Sequence, residues 1–114
     1  MAIDFGNQFG QKIFTHGHVK VAIDMTDILY LQCDGDLTTI YLHGSKSINE
    51  LKSLKKFESE LTSFGFFRIH DDTLVNGKYI TKITTSNKEN FIKIGDIMLK
   101  MSRRRAKKLK NNLF

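Results

Sequence analysis

The stretch ILYLQCDGDLTTIYL, Ile28 to Leu42, decides the class of fold. Two runs rich in aliphatic, β-branched and aromatic residues, Ile28 to Cys33 and Leu37 to Leu42, flank Asp34-Gly35-Asp36, whose composition suits a tight turn. This pattern predicts an antiparallel hairpin. The period of two continues toward the N-terminus in HVKVAI, His18 to Ile23, where Val19, Val21 and Ile23 alternate with more polar neighbours. Toward the C-terminus, strands are predicted at Phe66 to His70, Thr73 to Asn76, Tyr79 to Thr85, Phe91 to Ile94 and Ile97 to Met101. The connections Asn76-Gly77, SNKEN at 86–90 and Gly95-Asp96 carry the turn chemistry of antiparallel hairpins.

One helix interrupts the strands. In SLKKFESELTSFG, Ser53 to Gly65, the apolar residues Leu54, Phe57 and Leu61 recur at helical spacing and give one face that can pack on a sheet. Ser53 is placed to accept from an orphan N–H at the start, and Gly65 to end the helix in a left-handed conformation. The predicted class is mainly β, with one internal helix and a closing basic one.

At 114 residues, with no proline, eight glycines and no repeat, a single domain with a single core is expected. The lone Cys33 excludes an internal disulfide and a multi-cysteine zinc site, and suits a reducing, cytoplasmic setting. The beginning, MAIDFGNQFGQK, lacks the basic flank and apolar run of a secretory signal. No segment approaches the ~20 apolar residues of a membrane span, so no membrane insertion is expected.

The charge is unevenly placed. Residues 1–97 hold 11 basic and 12 acidic side chains, whereas residues 98–114 hold 7 basic and no acidic ones. The whole excess behind the net charge of +6 therefore lies at the C-terminal end, in MSRRRAKKLKNNLF, Met101 to Phe114. If Ser102 caps a helix, Ala106, Leu109 and Leu113 share one face and Arg104, Lys107 and Lys108 the opposite one. Arg103, Arg104 and Arg105 then stand in the first turn, against the positive end of the macrodipole, where stability alone would place acids. An anion there would meet free N–H groups and three guanidinium forks. A solvated face ordinarily mixes signs, and a membrane-surface helix would need a wider apolar stripe with bulky aromatics. Nucleic acid is the leading partner on charge and placement; DNA and RNA are not separated at this level.

With these elements placed, DILYLQCDGDLTTIYL, SLKKFESEL, FFRIHDDTLVNGKYITKI and IMLKMSRRRAKKLK together resemble the LytTR DNA-binding domain of bacterial transcription regulators, over about Asp27 to Leu109. The most specific part is the order and separation of FRIH, LVN and YI, Phe67 to Ile80, and MSRR, Met101 to Arg104. The resemblance implies one LytTR-like domain over 1–114, with residues 1–10 as an accessory N-terminal segment and without the family's usual receiver domain. It also implies an elongated set of small antiparallel sheets whose end loops enter successive major grooves of double-stranded DNA. Two copies would bind direct repeats. Carried over by position, Arg104 matches a base-reading arginine, Asp71 a second reader, and Asp36 or Leu37 a third. Ser102, Arg103, Lys107 and Lys100 would hold phosphates and set orientation. No cofactor and no enzymatic activity are implied.

Asp71 and Asp72 depart from the basic or amide residue, often followed by Ser, that the family carries after the histidine of this motif. Two readings stay open. The carboxylates weaken DNA binding by that loop, or Asp71 selects a base by accepting from cytosine N4. The first leads to a second function of a different kind, a LytTR-like protein-interaction module that pairs with a regulator or sensor protein and has lost specific readout.

Other constellations carry less. Asp71-Asp72 lacks a nucleophile or metal set for acid–base chemistry. His16 and His18 would share a strand face yet have no third ligand. His70 reads as a structural histidine that buttresses the contact loop, Cys33 as a small buried thiol, and DGD lacks the further acids of a calcium loop.

Overall fold

The computed structural model describes residues 10–113, and side chains up to position 109. The accessory segment expected over residues 1–10 lies outside the described residues, Gly10 excepted, and so do the side chain of Leu113 and all of Phe114. The described chain measures 51 × 26 × 25 Å. It is built from three antiparallel sheets, as the resemblance implies.

The central sheet has five strands in the order β5-β4-β3-β7-β6, with β3 at Ile28–Asp34, β4 at Leu37–Leu42, β5 at Lys46–Leu51, β6 at Phe66–His70 and β7 at Thr73–Asn76. The predicted hairpin is present: Asp34 pairs with Leu37 across Gly35, whose φ of 62° is the left-handed conformation that glycine adopts without penalty. β8 (Ile80–Ser86), β9 (Glu89–Ile94) and β10 (Ile97–Met101) form a three-stranded sheet, and β1 (Gln11–His16) pairs with β2 (Val19–Asp24). Between β8 and β9 the turn residues Asn87 and Lys88 both have positive φ, at 52° and 65°, which matches the twist of a two-residue hairpin.

The helix α1 spans Leu54–Leu61 and α2 spans Arg103–Leu113. Ser53 Oγ accepts from the Lys56 N–H at 3.2 Å, and after one short 3₁₀ turn Gly65 closes the segment at φ 86°. Both predicted caps are used.

The core is double, not single. Leu31, Ile40 and Leu74 face α1 and the β1–β2 hairpin, whereas Tyr30, Ile69 and Val75 face Ile92, Leu99, Met101 and Ala106 of the three-stranded sheet and α2. The inner strands β3 and β7 are therefore covered on both sides, which explains why ILYLQC and TLVN read as nearly continuous apolar runs.

Asn76-Gly77 is not a hairpin turn. β7 and β8 belong to different sheets, and Asn76 is buried at the crossover, where its Nδ2 donates to the carbonyls of Ile28 (3.0 Å) and Met25 (3.4 Å) and its Oδ1 accepts from the Lys78 N–H (3.1 Å). A Cβ on Gly77 would stand 2.9 Å from the Phe67 ring and 3.0 Å from the Gly65 carbonyl, so only glycine fits. His16 ends β1 and His18 lies in the following turn, so the two do not alternate along one strand face; His16 Nδ1 instead accepts from the Asn49 N–H at 3.1 Å.

Candidate nucleic-acid interface

A chain of backbone pairings joins the loops that hold the expected contact residues. At the end of the five-stranded sheet, Asp36 and Leu37 occupy the β3–β4 tip and Asp71 and Asp72 the β6–β7 tip. The Cys33 N–H donates to the Asp72 carbonyl at 2.9 Å, which sets these tips side by side. Next along, the Ser102 N–H donates to the Ile69 carbonyl at 2.8 Å and anchors the start of α2 beside β6. Met101 in turn pairs with Asn90, so the β8–β9 tip with Lys88 flanks the same junction.

The basic helix is seated as its pattern requires. Ser102 is its N-cap, with Oγ accepting from the Arg105 N–H at 3.2 Å. Ala106 is buried and Leu109 packs on the second core, while Arg103, Arg104, Lys107 and Lys108 are exposed. Arg105 departs from the expected trio of free guanidinium groups. It turns inward to a partly buried position, with Nη1 3.9 Å from Glu58 Oε2 on α1. Lys100, on β10, is exposed and paired with Glu89 at 3.2 Å, a contact weak enough in solvent to be exchanged for a phosphate.

At the β6–β7 tip the two aspartates differ. Asp72 Oδ1 accepts from Thr73 Oγ1 at 2.7 Å and lies 2.9 Å from His70 Nδ1, an ion pair when the imidazole is protonated. Asp71 has an exposed side chain, and its carbonyl is gripped by Arg68 Nη2. Arg68 Nε also donates to the His70 carbonyl at 3.1 Å. The tip is thus braced from behind through the His70 and Asp71 carbonyls. The neighbouring Cys33 thiol is pushed above its ordinary pKa by partial burial first and by the Asp72 charge second, so it stays protonated at neutral pH.

Two exposed tip residues escaped the sequence reading. Leu51 pairs directly with Leu37 across β4 and β5, and the two are 82% and 41% exposed, an apolar pair beside Asp36. Lys88 extends the cations beyond the start of α2. The signal for Lys88 was its place in SNKEN; Leu51 gave none, because KSINEL does not read as a strand. Among the described residues no group of three or more His, Cys, Asp or Glu could hold a metal ion, and no helix is long and apolar enough to cross a membrane.

The family model of the LytTr DNA-binding domain matches residues 19–114. Among solved structures, the LytTr DNA-binding domain of a Bacillus cereus protein described as a methyl-accepting/DNA response regulator aligns with a TM-score of 0.77 at 17% identity, over 91% of this chain and 96% of that one. That likeness is one of fold. No curated protein matches.

Proposed function

Because the chain belongs to the LytTR DNA-binding domain family, whose members are DNA-binding domains of transcription regulators and not enzymes, we propose that it is a cytoplasmic bacterial regulator that recognises specific double-stranded sites by loops in the major groove. The observation that carries this reading is the Ser102–Ile69 hydrogen bond, which holds the arginine-bearing start of α2 against the strand leading into the Asp71 tip. Cations and hydrogen-bonding tips then act together on one duplex. Arg104 suits bidentate bonding to guanine O6 and N7, and Asp71 accepts from cytosine N4. Asp36 reads at the neighbouring tip, where Leu37 and Leu51 offer apolar contact to thymine methyl groups. Ser102, Arg103, Lys107, Lys100 and Lys88 contact phosphates. The 51 Å length of the described chain exceeds the ~34 Å between successive major grooves on one face of B-DNA, as a two-groove footprint requires. Two copies on direct repeats extend that footprint.

Selection of bound duplexes from a random pool at two salt concentrations tests the reading. Enrichment of a repeated motif is expected at both. Salt-sensitive binding without enrichment would show a basic surface that attracts DNA and reads nothing.

A further inference from the structure

Glu58 stands between the two elements that carry the proposed base readers. Its Oε1 accepts from Arg68 Nη1 at 3.1 Å, and its Oε2 faces Arg105 Nη1 at 3.9 Å. Arg68 directs its other donors to the tip, with Nε on the His70 carbonyl and Nη2 on the Asp71 carbonyl. Arg105 is the helical neighbour of Arg104, and among the described residues its buried Nε has no hydrogen-bond partner, which leaves Glu58 as the counter-charge at that turn. The three side chains are only 15%, 29% and 21% exposed for Arg68, Glu58 and Arg105, so solvent screens the pairs less than on an open surface.

We propose that Glu58 is a positioning residue for base readout: by holding Arg68 on one oxygen and Arg105 on the other, it sets the Asp71 tip and the first turn of α2 at a fixed spacing. The inference rests on the DNA-reading function above. Arg68 is already committed through all three of its nitrogens to partners within the chain, unlike a cation held ready for phosphate. Glu58 itself repels DNA and touches no base. Its loss therefore has effects of opposite sign on the two kinds of binding. Charge removal favours random DNA, while loss of spacing harms the selected site. A general loss of folding would lower both.

The test titrates the 114-residue chain with the selected duplex and with a random duplex of equal length, for wild type, Glu58→Gln and Arg68→Lys, well below the melting midpoint of the weakest variant. Glu58→Gln is expected to reduce the selected-to-random affinity ratio about tenfold, the scale of one misaligned base contact, with no loss on the random duplex. Arg68→Lys is expected to do the same, because an ammonium cannot span two carbonyls and a carboxylate in one plane. An unchanged ratio in Glu58→Gln overturns the positioning role alone, as does an equal loss on both duplexes in Arg68→Lys, which would mark a direct contact of the guanidinium with phosphate. A wild type without duplex preference overturns base reading itself, and the role of Glu58 with it.

Discussion

The main-chain N–H of Ser102 donates to the Ile69 carbonyl at 2.8 Å, so Arg104 and Asp71 each stand two residues from the same hydrogen bond. This closeness separates readers from anchors. Arg104→Ala is expected to relax base preference at one position and to cost ~1 to 3 kcal/mol on the selected site. Lys107→Ala should weaken all sequences alike and reduce the salt slope by about one. Equal losses for Arg104→Ala on selected and random duplexes would refute its reading role.

Asp71 and Asp72 predict different outcomes. Asp71→Asn keeps an acceptor and adds a donor, so selection repeated with this variant should change the preferred base pair at a single position. Asp72→Asn removes the carboxylate charge beside His70 and leaves base preference as it was. If both variants simply bind every duplex more tightly, the tip repels DNA and reads nothing.

The Leu37–Leu51 pair makes a prediction about the DNA itself. Replacing thymine by deoxyuridine removes only the C5 methyl. At one or two positions of the selected site this should cost about 0.8 kcal/mol, the transfer value of one buried carbon group. The loss should vanish in Leu51→Ala. A loss that persists in the variant would place the methyl elsewhere.

Much of the architecture was legible because its signals are local. The β3–β4 turn is encoded by Gly35 and the β8–β9 turn by Asn87, residue types suited to left-handed backbone, and α1 by its cap and apolar spacing. β1 and β5 were missed because QKIFTH and KSINEL are partly exposed, mixed-polarity segments; β5 is an edge strand and β1 pairs only with β2. Asn76-Gly77 misled for a physical reason. The same amide that closes hairpins here accepts from Lys78 N–H and donates to two distant carbonyls. The inward turn of Arg105 depends on Glu58, remote in sequence, and no periodicity within α2 reports such a partner.

The crossover is testable through stability. Asn76→Ala leaves the Ile28 and Met25 carbonyls without their buried donor and is expected to cost about 1 to 3 kcal/mol. Gly77→Ala, which drives a methyl into the Phe67 ring and the Gly65 carbonyl, should cost a similar ~1 to 3 kcal/mol. Denaturant titration reads both. A neutral Gly77→Ala would contradict the tight approach.

Acid should loosen the attachment of the N-terminal hairpin. Burial pushes the Glu60 carboxyl up, but hydrogen bonds from Lys52 and Lys12 and the charges of both lysines outweigh it, and the net pKa lies below the ordinary 4.5. A carboxyl lowered by folding stabilises above its unfolded pKa, and that contribution fades as the pH falls through the lowered value. The stability difference between wild type and Glu60→Gln is therefore expected to be full at neutral pH and to shrink below about pH 4.5, as denaturation at several pH values will show.

Since β3 and β7 form a common wall for both apolar clusters, neither half can melt and leave the other a closed interior. Heating should give one all-or-none transition, with the same midpoint whether followed at tyrosines of the C-terminal cluster or by the exchange of amide protons in α1. For a reader of DNA, that cooperativity means the recognition loops are lost together or not at all.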